Sequence, residues 1–557
     1  MSWKIIEKRR STLAAESGAR YKSRGGRLSC CVVYPNRYHA AMSNLGFQAV
    51  YAIMNDHPEV VCDRAFLPDR DELEELQRSG GTLLSLESQR PLSSFDLVAF
   101  SVSFESDYLN LPVIFRLAGI APMAAERSPL QPLIMAGGAA LFLNPEPIAP
   151  FLDLVCLGEA EPILPPLLDL LKEPCASRGE LLLQASALPG VYVPSLYQPV
   201  YQGTSLVSFN PLPGAPPRVR RVWDPDVDSR PSVTEIHTGA TEFSGMHLVE
   251  LSRGCPRGCR FCAAGFIYLP YRSRSPELIR SEVLKGVAQG RKIGLVAAAV
   301  SDYAGIGDLC QEIIAAGGKF SVSSFRIDHL DAGMIEALKA SGQKSVALAP
   351  EGGSQRLRDL IRKGIDEQQI LAACDMLISH DILNLKLYFI IGLPTETMDD
   401  VEELVALVVK IRERVLAASR ANKRLGDIQL SVNPFIPKPF TPFQWCKMEE
   451  IKSVEKKWKF LQKALGKLSN LKLQMESPRE AYQQALLSRG DRRLAPLMVA
   501  ADLLGSWKGA VREERFDCDS FVYRDISLDE PLPWGFIEGG DTDRLAREYR
   551  RAFQGED

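Results

Sequence analysis

Three cysteines stand at a spacing that could hold an iron–sulfur cluster. In the stretch LVELSRGCPRGCRFCAAG, Cys255, Cys259 and Cys262 follow the pattern CxxxCxxC directly after a predicted strand. With 12 cysteines among 557 residues, this spacing is improbable by chance. Thiolates bind iron–sulfur clusters and structural zinc, so the stretch predicts a metal centre held in a loop.

The number of thiols favours one of these two kinds of centre. A structural zinc site closes with four Cys or His ligands, and the nearest further candidate, His247, lies eight residues before Cys255. Three ligands instead leave one iron of a [4Fe-4S] cluster open to a substrate or cosubstrate. We therefore favour a catalytic cluster over zinc, and we assign no role to the other cysteines.

The rest of the chain predicts an α/β protein of several domains. After an N-terminal extension (1–27), apolar runs alternate with helical patterns over 28–175, which is typical of a doubly wound, Rossmann-like sheet. Residues 176–245 are rich in Pro, Ser and Val and predict a strand-bearing connector. Six βα units over 246–450 predict a partial barrel of the TIM type, and 451–557 predict a helical C-terminal region.

Composition predicts no membrane partner and does not indicate nucleic acid, although a local site for a polyanion stays open. The 66 basic and 69 acidic residues leave a formal charge of -3, which gives no global attraction for nucleic acid or anionic lipid. No apolar run reaches the roughly 18 residues of a membrane span, and the start of the chain lacks a secretory apolar segment. We expect a cytoplasmic location. The basic helix predicted near 451–472 is interpreted as a solvated lysine face packed on the barrel, so RNA is not indicated.

The cysteine pattern, with an aromatic Phe261 before the third Cys, on the loop after the first strand of a partial barrel, resembles the radical SAM superfamily. The resemblance covers residues 246–445. It implies that the open iron chelates S-adenosylmethionine and that the reduced cluster cleaves it to a 5′-deoxyadenosyl radical, which takes a hydrogen atom from a substrate not yet identified. It also implies a reducing electron donor such as flavodoxin or ferredoxin.

The same resemblance implies where S-adenosylmethionine binds, at the carboxyl ends of the barrel strands. Ser301 and Asp302 stand where the family binds the methionine amine, although VAAAVSD departs from the usual GGE-like stretch. ALAPEGGSQRLRDL is similar to the segment that contacts ribose and carboxylate; a capped helix with solvated charges is the alternative. The remaining implied positions are Glu351, Ser354 and Arg356 in that segment, Arg326 as a further carboxylate partner, and Ile391 and Gly392 at the adenine edge.

A doubly wound domain before such a barrel resembles the cobalamin-binding (B12-binding) domain of one radical SAM subclass. The family places a lower axial His in DxHxxG, and here PNRYHAAMSNLG puts His39 at that place. Arg37 and Met42 replace the Asp and Gly, so the carboxylate that would orient the imidazole is missing. The other positions that the resemblance implies for cobalamin are Ser101, Gly137 and Gly138.

Three functional hypotheses follow. The first is a radical SAM enzyme of an uncharacterised B12-binding-domain family, with cobalamin as methyl carrier. The second is the same radical chemistry without cobalamin, for rearrangement, dehydrogenation or RNA modification. The third is a non-catalytic iron–sulfur protein for electron transfer or scaffolding. A methylthiotransferase is disfavoured, because the N-terminal half has no second spaced Cys triad.

Overall fold

The computed structural model describes residues 3–322, 325–330, 332–421 and 423–554, so the outermost residues of both predicted terminal regions lie outside it. The strands of the first half are β1 (Leu28–Tyr34), β2 (Val60–Phe66), β3 (Leu97–Ser101), β4 (Leu133–Gly137), β5 (Leu154–Cys156), β6 (Val191–Tyr192), β7 (Tyr197–Gln202), β8 (Ser205–Pro211) and β9 (Val219–Arg220). Its helices are α1 (Trp3–Ala14), α2 (Tyr38–Met42), α3 (Leu45–Asp56), α4 (Arg70–Ser79), α5 (Leu111–Ala118), α6 (Ala139–Leu143), α7 (Ala160–Lys172) and α8 (Arg178–Ser186).

The second half carries the remaining elements. Its strands are β10 (His247–Glu250), β11 (Ser252–Arg253), β12 (Arg272–Ser273), β13 (Ile293–Val296), β14 (Phe320–Val322), β15 (Ser345–Glu351), β16 (Asn384–Ile391), β17 (Ile428–Pro434), β18 (Leu471–Met475) and β19 (Ile537–Glu538). Its helices are α9 (Pro276–Ala288), α10 (Ile306–Ala315), α11 (Ala332–Ala340), α12 (Gln355–Leu360), α13 (Glu367–Ser379), α14 (Met398–Ala421), α15 (Ile451–Leu465), α16 (Pro478–Arg489), α17 (Leu494–Leu504), α18 (Trp507–Glu513), α19 (Asp519–Val522) and α20 (Thr542–Gln554).

The first sheet has the strand order β2-β1-β3-β4-β5-β6. Its pairs are parallel except for β5 and β6, which run antiparallel. β1 reads LSCCVVY and is buried from its second residue to its last, as expected of a strand covered on both faces. The predicted doubly wound α/β sheet is confirmed.

Local signals fix the helices around this sheet. The charged helix α4 begins with a capping box between Asp69 and Glu72 and ends at Gly80, whose φ of 59° is left-handed. Helix α3 begins at Asn44, whose side chain accepts the N–H of Phe47. Both helix starts lie on loops that follow strands β1 and β2, so the capping residues also fix where those loops end.

The second unit is built from a three-stranded sheet, β10-β13-β14, and a four-stranded sheet, β15-β16-β17-β18. All their pairs are parallel, and apolar side chains of both sheets share one core, among them Leu295, Leu348, Leu387 and Leu430. This arrangement confirms the partial barrel. Two strands, β18 and the short β19, lie in the region predicted to be helical. The basic helix α15 ends at Leu465 rather than near 472.

The segments outside the two sheets also differ in part from the prediction. The connector predicted to carry strands contains the antiparallel hairpin β7–β8, but helix α8 precedes it. The C-terminal helices α16 and α17 lie on the first domain: Ala485, Leu486 and Leu497 share a core with Phe115 and Ile148. The side-chain amide of Asn144 donates to the carbonyls of Ser488 at 3.1 Å and Gly490 at 2.7 Å. Helices α16 and α17 therefore pack on α5 and the turn around Ile148, outside the first sheet.

Across the part of the chain that the structure describes, no helix combines the length and the apolar character required to cross a membrane.

A buried ion triplet stabilises the outer edge of the first sheet. Arg64 on β2 is fully buried and donates from Nε to Glu87 Oε1 and from NH2 to Glu16 Oε2, each at 2.6 Å. The side chains of Glu16 and Glu87 are 0% and 4% exposed. Although burial opposes the charged form, Glu87 and Glu16 hold the pKa of Arg64 above its ordinary value. Arg64 thus ties β2 to the N-terminal extension.

We expect Arg64→Met to lower the free energy of unfolding by about 3–5 kcal/mol, because it leaves two buried carboxylates without their cation. Chemical denaturation followed by circular dichroism measures the change. Arg70→Met is the matched control: it breaks a pair with Glu74 in which Arg70 is 87% exposed, and should cost about 0–1 kcal/mol. Equal effects of the two substitutions would contradict this account.

Candidate functional site

The cysteine loop is held at the carboxyl end of the first barrel strand. It follows the short strand β11, which pairs antiparallel with β12. Gly254 begins the loop with a φ of 82°, and a Cβ there would lie 2.5 Å from the carbonyl oxygen of Tyr268. A second close approach follows the cysteines, where a Cβ at Gly265 would lie 2.5 Å from the Arg257 carbonyl. The loop therefore needs glycine at both of its ends.

The three thiols are sheltered rather than open to solvent. Cys259 is 9% exposed, and Cys255 and Cys262 are partly buried. Burial raises the pKa of Cys262 to about 11 and also raises the pKa of Cys259, on which Lys363 and Arg326 act in the opposite direction. Metal binding to these groups would release protons, because thiolates are the ligands.

The spacing of the thiols tests which metal group they fit. Among the described residues, the group of three His, Cys, Asp or Glu ligand atoms that lie within 4.8 Å of one another is Glu159, Glu161 and Asp224, and the thiols form no such group. A tetrahedral zinc with Zn–S bonds of about 2.3 Å would hold its sulfurs about 3.8 Å apart. A cluster bound through three different irons spreads its ligand sulfurs further. The three sulfurs are thus not grouped as ligands of one tetrahedral ion, and the cluster stays the interpretation that the sequence favours.

Arg257, inside the cysteine loop, connects it to the end of strand β13. Its guanidinium donates to both carboxylate oxygens of Asp302, at 2.9 and 2.6 Å, and its NH2 lies 2.9 Å from His329 Nε2. The Asp302 side chain is 5% exposed. The hydroxyl of Ser301 accepts the Arg326 N–H at 3.2 Å. Both predicted amine ligands lie beside the loop, but the carboxylate of Asp302 is already paired.

Two other predicted residues lie close to the thiols. Arg326 and Glu351 both act electrostatically on Cys259. Arg326 also pairs with Asp328 at 2.8 Å, and Glu351, at a φ of 64°, lies 3.4 Å from Lys363 Nζ. Lys363 was not predicted; it follows α12 in sequence and gave no signal beyond being one basic residue among many.

Ser354 and Arg356 are already engaged within the protein. The Ser354 hydroxyl caps α12 by accepting the Leu357 N–H at 3.2 Å, and it donates to Asp400 at 2.6 Å. Arg356 pairs with the same Asp400 and donates to Thr395. The alternative interpretation, a capped helix with local charge pairs, therefore describes these two residues better than direct contact with S-adenosylmethionine.

The end of strand β16 is closed by buried charges that the sequence did not reveal. Ile391 is fully buried, and the Gly392 N–H donates to Glu396 at 2.9 Å. Lys457 of the basic helix α15 is 4% exposed and donates to Glu396 at 2.8 Å and to Glu449 at 2.6 Å. Burial raises the pKa of Glu396 even though Lys457 opposes the shift. At least one lysine of the face predicted to be solvated is thus internal, and the adenine contact at Ile391 and Gly392 stays a prediction.

A cavity of about 580 Å³ lies between the six-stranded first sheet and the three-stranded sheet of the barrel. On one side it is lined by residues at the carboxyl ends of the first sheet, including Ser101, Gly137 and Gly138, as predicted from the loop positions. On the other side it is lined by Arg253, Gly254 and Ala264, which flank the cysteines. One space therefore touches both the first domain and the cysteine loop.

His39 is not part of this cavity. It lies on helix α2 with its side chain exposed, and it is absent from the residues that line the space. Asn44, five residues later, lines the cavity instead and donates from Nδ2 to Ser103 Oγ at 3.0 Å. The structure thus places His39 outside the lining of the cavity, and its role as a lower axial ligand stays a prediction.

We expect Ser354→Ala to lower the free energy of unfolding by about 1 kcal/mol, as loss of a helix cap does, and to leave binding of S-adenosylmethionine unchanged. Chemical denaturation and calorimetric titration measure the two quantities. Ser354→Thr keeps a hydroxyl and serves as the control. Loss of binding with an unaltered free energy of unfolding would instead make Ser354 a ligand.

Comparison with known proteins gives two family matches. Residues 46–194 match the family described as "Radical SAM proteins, N-terminal", and residues 249–408 match the "Radical SAM superfamily". The second match contains all three cysteines of the loop, and the first covers most of the open sheet.

The chain is also similar to individual proteins. The chain is 29% identical over 490 residues to the uncharacterised protein MJ0966 of Methanocaldococcus jannaschii, across 87% of this chain and 94% of that protein. It is 28% identical over 198 residues to the ribosomal protein uS12 methylthiotransferase RimO of Thermotoga maritima, across 33% of this chain and 46% of that one.

Among solved structures, the chain is similar to the radical S-adenosylmethionine methyltransferase TsrM from Kitasatospora setae, solved with cobalamin and a [4Fe-4S] cluster bound. The TM-score is 0.50 at 15% identity, and the match covers 88% of this chain and 99% of that chain. At this identity the likeness concerns the fold alone.

Proposed function

Because this chain belongs to the radical SAM superfamily, we propose that it is an enzyme that reductively cleaves S-adenosylmethionine at a [4Fe-4S] cluster bound by Cys255, Cys259 and Cys262. The observation that carries the proposal is the cysteine loop itself. Three sheltered thiols lie at the carboxyl end of a parallel barrel and are not grouped as for one ion, and residues on both sides of them in sequence line one cavity.

The side chains around the loop have distinct tasks in this proposal. The three thiolates would bind the cluster. A bound, reduced cluster would supply the electron that breaks a carbon–sulfur bond of the sulfonium, giving methionine and a 5′-deoxyadenosyl radical for hydrogen abstraction. Arg257 fixes the loop to Asp302. Arg326 and Lys363 place positive charge beside Cys259, where they offset the negative charge of the thiolates and suit a carboxylate.

For the cavity we propose cobalamin as the ligand, with methyl transfer to an unidentified substrate as the reaction. The supporting observations are the place of the cavity at the carboxyl ends of a doubly wound sheet and its contact with the cysteine loop. The likeness in fold to TsrM supports the same choice. This proposal does not require His39, which lies outside the lining of the cavity. An electron donor of the flavodoxin or ferredoxin type completes the proposal.

We expect Cys259→Ala to lose the cluster and the cleavage of S-adenosylmethionine, because two thiolates no longer hold a cubane with one open iron. Anaerobically purified protein is assayed for iron, for its absorbance near the iron–sulfur bands, and for 5′-deoxyadenosine after addition of dithionite. Cys175→Ala, which alters a partly buried cysteine outside the loop, is the control and should keep both properties.

Two outcomes would contradict the proposal. A Cys259→Ala protein with a full cluster and normal cleavage would remove this ligand assignment. A wild-type protein with a verified cluster that yields no 5′-deoxyadenosine would favour the non-catalytic iron–sulfur alternative.

We expect Ser101→Trp to abolish binding of hydroxocobalamin, because the indole occupies space in the cavity, while His39→Ala binds it like the wild type. Equilibrium dialysis followed by absorbance measures both. If wild-type protein purified with cobalamin supplied shows iron–sulfur absorbance but no corrinoid bands, the cobalamin-independent version of the chemistry holds instead. Loss of binding in His39→Ala would restore that residue as a ligand.

A further inference from the structure

Arg253 stands two residues before Cys255 and is bound by three carboxylates. Its Nε donates to Glu250 at 2.9 Å, NH1 to Glu159 at 3.0 Å and NH2 to Glu161 at 2.6 Å. The side chain is 10% exposed. Each of the three guanidinium nitrogens therefore has an acidic partner, a geometry that fixes the position of the side chain.

Two of those carboxylates belong to the other domain. Glu159 and Glu161 lie between β5 and the first turn of α7, directly after Gly158. Gly158 has a φ of 137°, and a Cβ there would lie 2.0 Å from the carbonyl oxygen of Val222. The Glu159 N–H donates to that same carbonyl at 2.9 Å. The acidic loop is thus anchored by its own backbone before it meets Arg253.

A second arginine strengthens the same junction. Arg272 on β12 donates from NH1 and NH2 to the two carboxylate oxygens of Glu159, at 2.9 and 2.6 Å. β12 is the strand that pairs with β11, on which Arg253 lies. Both strands that support the cysteine loop are therefore bonded to one loop of the first domain.

Two carboxylates of the acidic group are already paired with arginines. The ligand atoms of Glu159, Glu161 and Asp224 lie within 4.8 Å of one another. Arg253 and Arg272 supply the positive charge for Glu159, and Arg253 supplies it for Glu161. The Asp224 carboxylate accepts the Asp226 N–H instead.

The hydrogen bonds of Arg253 to Glu159, Glu161 and Glu250 differ from an ordinary contact between domains because these residues also line the cavity. Glu159, Glu161, Glu250, Arg253 and Gly254 all line the cavity. The residues that line this side of the cavity are thus the same residues whose hydrogen bonds hold the start of the cysteine loop. Displacing the loop would leave buried carboxylates unpaired, which is costly, so the loop and the acidic segment must move together.

We propose that Arg253 is a positioning residue that fixes the cysteine loop against the Gly158–Glu161 segment, so that a ligand in the cavity and S-adenosylmethionine at the cysteines bind interdependently. The inference rests on the proposed function for the identity of both ligands. By linkage, each ligand must change the affinity of the other by the same factor.

The test measures that factor in the holoprotein with hydroxocobalamin and S-adenosylmethionine as probes. The dissociation constant of each is determined with and without the other, under anaerobic conditions and without reductant. In the wild type we expect a ratio of about five-fold or more, equal in both directions. In Glu161→Gln, which weakens only the bond to Arg253, the ratio should fall toward one while the iron and sulfide content stays the same.

Two further variants serve as an intermediate case and as a control. Arg253→Lys keeps a charge but not the three-way geometry, and should retain part of the ratio. Glu312→Gln breaks an exposed pair with Arg280 and is the matched control, with the wild-type ratio expected. A wild-type ratio of one, or an unchanged ratio in Glu161→Gln, would overturn the proposal.

A failure of cobalamin binding is distinguishable from a failure of this inference. If the wild type binds no cobalamin, the cobalamin part of the proposed function fails, and the positioning role is judged by electron paramagnetic resonance of the reduced cluster. The spectrum and its change on addition of S-adenosylmethionine should then differ from the wild type in Glu161→Gln and not in Glu312→Gln. Identical spectra in all three proteins would overturn the role of Arg253.

Discussion

The buried guanidinium of Arg253 bonds the strand before the cysteine loop to the loop after β5 of the first sheet. Charges out of water stabilise a fold only when every partner is in place, and here the partners come from both domains. The cavity exists because the carboxyl ends of the two sheets face each other, and these bonds hold the facing loops together. The position of the cysteines, the shape of the cavity and the contact between them depend on the same few charge-assisted bonds.

Much of this fold could be predicted from the sequence because its strongest signals are local. A strand covered on both faces is apolar throughout, so β1 stands out as LSCCVVY, whereas β16, NLKLYFII, shows alternating buried and exposed residues. The spacing of the three cysteines is read directly from the sequence and needs no tertiary information. The positions of Ser101 and Gly137 were also predictable, because both residues end parallel strands and ligands of such sheets bind beyond the carboxyl ends of the strands.

The parts that were missed depend on tertiary partners. Strand β18 is only five residues long and is fixed by its pairing with β17, which the sequence of LKLQM does not show. Ser354 has the residue type of either a ligand or a helix cap, and only the position of Asp400 decides between them. His39 matched a motif in spacing, yet its helix turns the side chain to solvent. Lys457 became internal because two carboxylates surround it.

The packing of helices α16 and α17 on the first domain affects how the protein folds during synthesis. Residues 478–504 share the core of a sheet whose strands are complete by residue 192. At synthesis rates of about 5–20 residues per second, the ribosome needs roughly 15–60 s to supply those helices after the sheet has emerged. During that interval the apolar surface of α5 and of the turn around Ile148 lacks the helices that cover it in the folded protein. The first domain therefore completes its core only after most of the barrel has been synthesised.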